Sequence, residues 1–111
     1  MNLFLRAFAD CTTPEAASRL QEQFLEKLAP WQPCVHATPL QYWKMTQYFE
    51  FTYNLAPGTR EALQSVHALA QAGWTDCESD EELSCVWNRV PGTQFLNPAV
   101  AWAELALHHE A

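Results

Sequence analysis

The sequence predicts a single α+β domain that spans residues 1–111. Its length of 111 residues suits one domain with one hydrophobic core. The apolar share of 49% is that of a folded globular protein, and five Trp, three Tyr and six Phe supply bulky side chains for the core. Segments with a two-residue hydrophobic period alternate with segments of helical period, which predicts a mixture of strands and helices.

A strand and a helix open the chain. Residues 2–9 alternate in side-chain character, which predicts a strand. One face carries Leu3, Leu5, Ala7 and Ala9, and the other carries Phe4, Arg6 and Phe8. Residues 12–28 then show helical spacing, with Thr13 as the N-cap and Pro14 at the first helical position. The apolar stripe of this helix consists of Ala17, Leu20, Phe24 and Leu28.

A β-hairpin is predicted next. Residues 34–45 are extended but contain Pro39, which suits an edge strand or a bulge because proline cannot donate to a sheet ladder. Residues 47–55 alternate clearly, and the short link through Thr46 predicts that the two segments pair. The buried face of the second strand is expected to carry Phe49, Phe51, Tyr53 and Leu55.

A second helix is predicted over residues 56–74. Thr59 is its expected N-cap, and Gly73 supplies the left-handed residue that ends it. The side chains expected to face inward are Leu63, Val66, Leu69 and Ala70.

The last third of the chain predicts an acidic loop followed by two strands. Residues 84–89 form a short strand, and residues 90–98 are rich in turn residues. Residues 99–109 alternate at period two, which predicts a strand, although their alanines leave a helix open. The resulting order is strand, helix, strand, strand, helix, strand, strand. This order predicts a ferredoxin-like split βαβ arrangement, an antiparallel sheet with two helices on one face.

The charge balance restricts the possible partners. Six Lys and Arg stand against 13 Asp and Glu, which gives a formal net charge of -7. Phosphate backbones and anionic membranes attract Lys and Arg, so neither nucleic acid nor a membrane is an expected partner. An acidic surface can instead attract a basic protein and speed its association. The alternative is that the charge serves solubility alone.

The protein is expected to act in the cytoplasm as a monomer or weak dimer. Its first residues reach Arg6 and Asp10 without the sustained apolar stretch of a secretory signal, and no segment has the length of a membrane span. The cysteines are irregularly spaced, which predicts reduced thiols rather than a disulfide framework. They are Cys11, Cys34, Cys77 and Cys85.

No metal, cofactor or enzyme activity is predicted. Zinc sites usually contain closely paired ligands, whereas successive cysteines here lie 23, 43 and 8 positions apart. The residues that a zinc site would draw on are Cys34, His36, Cys77 and Cys85. His36 and Glu50, on adjacent predicted strands, could form a proton-transfer pair, which leaves a small ferredoxin-like enzyme as an alternative. The sequence contains no phosphate-binding loop or nucleophile elbow.

An acidic run, "DCESDEE", occupies residues 76–82. Its carboxylates are Asp76, Glu78, Asp80, Glu81 and Glu82. The run lacks the glycine and the regularly spaced oxygen ligands of a calcium loop. Trp74 precedes it and Trp87 follows it, so both are expected to support the run at the edge of the core. This pattern favours a docking surface for a basic protein, with a solvated loop as the alternative.

The pattern "GWTDCESDEELSCVWNR...QFLNPAVAWAEL", over roughly residues 73–107, resembles small cytosolic immunity proteins of bacterial polymorphic toxin systems. These include the systems of contact-dependent growth inhibition. The resemblance implies a protein that binds and neutralises a cognate toxin C-terminal domain, and many such domains are nucleases. Only the acidic run carries over as a contact surface, because immunity proteins differ in fold and docking. A generic protein-interaction module remains a further alternative.

Overall fold

The computed structural model describes residues 1–78 and 82–108, and these residues form an α+β fold with a six-stranded antiparallel sheet and two helices. The elements are β1 Asn2–Asp10, α1 Pro14–Leu28, a 3-10 turn Ala29–Trp31, β2 Cys34–Gln41, β3 Tyr48–Leu55, α2 Arg60–His67, β4 Trp74–Glu78, β5 Glu82–Asn88 and β6 Val100–His108. The strand order is β2-β3-β1-β6-β5-β4. The specific ferredoxin-like plan is not confirmed, because the sheet has one strand more than the sequence predicted.

The additional strand is β4, which begins at Trp74, the last residue of the predicted second helix, and extends into the predicted acidic loop. Trp74–Glu78 pairs with β5 from Trp74 opposite Trp87 to Glu78 opposite Leu83. The loop prediction is therefore wrong for residues 76–78. Backbone pairing with β5 outweighs the low strand propensity of Asp76 and Glu78, whose side chains remain solvated.

β1 lies at the centre of the sheet and organises the core. Its alternate residues are fully buried, and Leu5 lies opposite Tyr53 of β3 on one side and Leu105 of β6 on the other. The predicted alternation of β1 and β3 is confirmed, and the faces that carry Leu5 and Tyr53 are the buried ones. The last segment is a strand over Val100–His108. Its pairing with β1 shifts register after Phe8, because Phe8 lies opposite Trp102 and Ala9 lies opposite Val100, so Ala101 falls between the paired residues. Position 109 lies outside the described residues.

The two helices begin as predicted. The hydroxyl of Thr13 accepts a hydrogen bond from the Ala16 amide at 3.2 Å, and the hydroxyl of Thr59 accepts one from the Ala62 amide at 3.1 Å. In α1, Phe24 packs edge-on against Phe51 of β3 with 5.0 Å between ring centroids. These contacts place α1 over the β3 side of the sheet.

The second helix is shorter than predicted, because α2 ends at His67 rather than near residue 74. Leu69 was expected to face inward, but it is 41% exposed. The residues after His67 form turns whose carbonyl groups accept hydrogen bonds from side chains of the sheet. The Trp74 indole donates to the Ala70 carbonyl at 3.1 Å, and the Trp87 indole donates to the Ala72 carbonyl at 2.8 Å. These bonds replace the last helical turns.

Gly73 makes this turn sterically possible. Its φ of +105° lies in a region that the backbone of residues with a Cβ rarely adopts. A Cβ at this position would stand 2.5 Å from the Asn88 carbonyl oxygen and 2.6 Å from Nε1 of Trp87. The absence of a side chain therefore lets the turn pack directly against β5.

We expect Gly73→Ala to lower the free energy of unfolding by about 3 kcal/mol, because it adds a clash to the cost of the positive φ. Gly92→Ala is the matched control. Gly92 also has a positive φ, +83°, but a Cβ there would meet nothing within 4 Å. The control should lose only about 1 kcal/mol. Equal losses in urea unfolding would show that the close approach to Trp87 is unimportant.

Tyr53 generates a prediction about alkaline pH. Its side chain is buried, and its hydroxyl donates to Oε1 of Gln21 at 3.2 Å. Burial raises the pKa of Tyr53 above its ordinary value. The stability that this shift contributes is present below the unfolded pKa, about 10, and is lost as pH rises further. We expect Tyr53→Phe to flatten that loss in unfolding experiments, whereas Tyr48→Phe, at a partly exposed position, should retain it.

Candidate functional site

A groove of about 380 Å³ lies between α2 and the hairpin formed by β4 and β5. We call it the α2–hairpin groove. The polar side chains that line it include Arg60, His67, Asp76, Glu78 and Cys85. Arg60 and His67 are seven positions apart on α2 and therefore lie on one helix face. Asp76 and Cys85 are directly opposite each other in the hairpin, so their side chains emerge on the same face of the sheet.

Three of these side chains converge at the end of α2. Nε2 of His67 lies 3.3 Å from Oδ1 of Asp76. The Cys85 thiol lies close enough to the Asp76 carboxylate for that group to raise its pKa. The nitrogen, oxygen and sulfur atoms that these three residues offer to a metal all lie within 4.8 Å of one another. This His67–Asp76–Cys85 cluster combines three kinds of metal-binding atom at one point.

Burial determines the reactivity of the Cys85 thiol. Cys85 is 2% exposed, and burial together with the nearby Asp76 carboxylate raises the pKa of Cys85 to about 12. A thiol with this pKa is protonated at neutral pH, so it is a poor nucleophile. The cluster therefore lacks the activated thiolate of a cysteine hydrolase.

Aromatic packing holds the His67 ring in position. The ring stacks on Trp74 with 4.3 Å between centroids and an interplanar angle of 18°. Trp74 also contacts Phe95 edge-on at 5.3 Å, and Trp87 lies fully buried beside the same phenylalanine. The two tryptophans thus support the hairpin from its core side.

Three carboxylates of the proposed docking surface lie on this hairpin. Asp76, Glu78 and Glu82 are exposed, whereas Asp80 and Glu81 lie outside the described residues. Each of the three has a basic neighbour: His67 for Asp76, Arg60 for Glu78 at 2.7 Å, and His108 for Glu82 at 3.5 Å. The hydrogen bond to Glu78 raises the pKa of Arg60 above its ordinary value. The two histidines neutralise their partners only when protonated.

His36 and Glu50, the proton-transfer pair considered from the sequence, contact different neighbours. His36 contacts Phe4 edge-on at 5.5 Å, and Glu50 accepts a hydrogen bond from Nε of Arg6 at 2.5 Å. No hydrogen bond or ion pair joins His36 to Glu50 in the part of the chain that the structure describes. Neither residue lines the α2–hairpin groove.

The cysteines and histidine that sequence reasoning considered for zinc are also separated. Cys34 and His36 lie on β2, at the sheet edge opposite β4. Cys77 faces away from Cys85, because neighbouring residues of a strand point to opposite faces. Sequence reasoning missed His67 and Asp76 as partners of Cys85. The signal that could have found them is the hairpin register, which the loop prediction concealed.

A second groove, of about 310 Å³, lies on the sheet face opposite the helices. Phe8 forms its centre, with ring centroids 4.6 Å from Tyr42 and 5.2 Å from Trp102. Trp43 follows in the β2–β3 connection and is 78% exposed. We call this region the aromatic groove. Its lining is mostly apolar, so it could contact a partner but offers little acid–base chemistry.

Thiol labelling tests the burial of Cys85. All four cysteines are free, as predicted, with Cys34 and Cys77 exposed and Cys11 and Cys85 buried. We expect a disulfide reagent to modify two thiols rapidly in the native protein and the remaining two only on unfolding. The Cys34→Ser/Cys77→Ser variant should show no rapid phase. Rapid native-state modification of Cys85 would contradict its placement.

The α2–hairpin groove is therefore a concave, polar site that joins exposed carboxylates to one buried thiol and one stacked imidazole.

Among the described residues, neither helix is long and apolar enough to cross a membrane. No protein-family model, curated protein or solved structure matches the chain.

Proposed function

We propose that this protein is a non-enzymatic, cytoplasmic inhibitor that binds a basic partner protein through its acidic hairpin. The partner is a cognate toxin domain of the nuclease type, as the resemblance to immunity proteins implies. The observation that carries this proposal is the anchoring of the carboxylates. Asp76 and Glu78 project from a paired strand, and the buried indole of Trp87 fixes the neighbouring strand to the core. A rigid charged surface loses little conformational entropy on binding.

The distribution of charge supports a basic partner. Residues 60–88 contain six acidic residues and one basic residue, Arg60, so most of the net charge of -7 arises here. Nucleases hold a phosphate backbone with Lys and Arg. A concentrated acidic surface attracts such a protein and can cover its substrate-binding face.

The ion pairs that join the hairpin to α2 and β6 do not oppose this role. The side chains of Arg60 and Glu78 are 51% and 57% exposed, so their pairing contributes little in water. The carboxylates can exchange these partners for lysines and arginines of a bound protein at small cost.

Two features support an inhibitor over an enzyme. The Cys85 thiol is protonated at neutral pH, and His36 and Glu50 contact different neighbours rather than each other. We further propose that β1, β2, β3, β6 and the two helices form a split βαβ core, to which β4 and β5 add the acidic hairpin. The strand order β2-β3-β1-β6 supports this division.

Co-expression tests the proposed function directly. We expect a gene beside that of this protein to encode a secreted protein with a toxic C-terminal domain. Expression of that domain alone should arrest growth, and co-expression of this protein should restore it. A neighbourhood of metabolic genes, or growth arrest that persists on co-expression, would contradict an immunity function.

Charge-neutral variants test the docking surface. Replacing Asp80, Glu81 and Glu82 with Asn, Gln and Gln should slow association with the toxin domain about 10-fold at low salt and flatten its salt dependence. The matched control replaces Glu15, Glu22 and Glu26, three exposed residues of α1, with Gln. This control variant changes the net charge by the same amount as the first variant but leaves the acidic run of residues 76–82 unaltered.

The two variants should have nearly unchanged free energies of unfolding, because exposed charges contribute little to stability. Equal association rates for the hairpin and control variants would eliminate this docking surface. Docking would then be sought on the open sheet face near Tyr48, Glu50 and Thr52, next to the aromatic groove.

A further inference from the structure

We infer that the His67–Asp76–Cys85 cluster is a binding site for one divalent transition-metal ion such as Zn²⁺. The ligands are Nε2 of His67, a carboxylate oxygen of Asp76 and Sγ of Cys85. The site lies within the α2–hairpin groove. The inference needs no partner protein, but it shares Asp76 with the proposed docking surface and departs from the expectation of no metal that the sequence alone gave.

The spacing of the three ligand atoms fits a small tetrahedral ion. Zinc bonds of about 2.0–2.3 Å place neighbouring ligands roughly 3–4 Å apart. His67 and Asp76 already satisfy this spacing at 3.3 Å, and all three atoms lie within 4.8 Å of one another. Small side-chain adjustments toward a shared centre therefore suffice.

The kinds of ligand atom select the metal. One imidazole nitrogen, one sulfur and one carboxylate oxygen suit Zn²⁺ or Co²⁺. Mg²⁺ and Ca²⁺ prefer oxygen ligands alone, so they should bind poorly. A water molecule would complete the tetrahedron from the open side of the groove, where Glu78 also lies.

The protein holds these ligands in place before a metal binds. Stacking on Trp74 orients the His67 ring, and the Trp74 indole is itself held by the Ala70 carbonyl. The hairpin register sets Asp76 opposite Cys85. Rigid support of this kind reduces the ordering cost of metal binding. A bound metal would take the place of the Cys85 thiol proton, which would be released to water.

Cobalt titration of the chelator-treated full chain tests the site. We expect one equivalent of Co²⁺ to produce a thiolate-to-cobalt charge-transfer band and the visible absorption of a tetrahedral complex. Added Zn²⁺ should abolish both signals, whereas Mg²⁺ should not. Elemental analysis after dialysis against excess Zn²⁺ should find about one zinc per chain.

Matched variants locate the ion. Cys85→Ser should remove the charge-transfer band, and His67→Gln should weaken Co²⁺ binding at least about 10-fold. The controls are Cys77→Ser and His36→Gln, which alter the same residue types outside the cluster and should bind Co²⁺ normally. If Cys85→Ser fails to fold, the comparison of His67→Gln with His36→Gln is decisive, because His67 is only partly buried.

Three results would overturn the inference. These are the absence of a charge-transfer band in the unaltered protein, its persistence in Cys85→Ser, or its loss in Cys77→Ser. The cluster would then be a hydrogen-bonded network that stabilises the end of α2. Toxin neutralisation is measured separately, so failure of either proposal leaves the other testable.

Discussion

Trp87 joins the β5 strand to the turn that follows α2. Its side chain is fully buried, and its indole donates to the Ala72 carbonyl at 2.8 Å. Gly73 leaves the space in which this contact forms, because a Cβ there would collide with the indole. The position of Trp87 thereby sets the end of α2 and the start of β4. The depth and lining of the α2–hairpin groove depend on both.

In β4, the side chains and the outer backbone edge lie in different surroundings. The carboxylates of Asp76 and Glu78 face α2 and line the groove, where they meet His67 and Arg60. β4 has a neighbour on one side only among the described strands, and charge on an edge strand opposes pairing with a second copy. The same charge remains available to a partner with basic side chains.

Local sequence patterns were sufficient to predict the elements in which apolar residues recur with a single clear period. The alternation of β1 and β3 and the caps Thr13 and Thr59 required no knowledge of distant contacts. The end of α2 could not be predicted in this way. Its helical pattern continues past His67, but the Ala72 carbonyl accepts a hydrogen bond from the indole of Trp87, which lies 15 positions further along the chain. Tertiary hydrogen bonds overrode local propensity there.

The sequence by itself determined the α+β class, the alternating faces of the central strands and the concentration of negative charge after α2. These properties depend on composition and on short-range periodicity. Only the tertiary structure decided that β4 exists and that Asp76 stands opposite Cys85, with His67 above them. Strand pairing and helix packing bring together residues nine positions or more apart, and no local pattern encodes which side chains will meet. The candidate site is therefore a product of register and packing rather than of a contiguous motif.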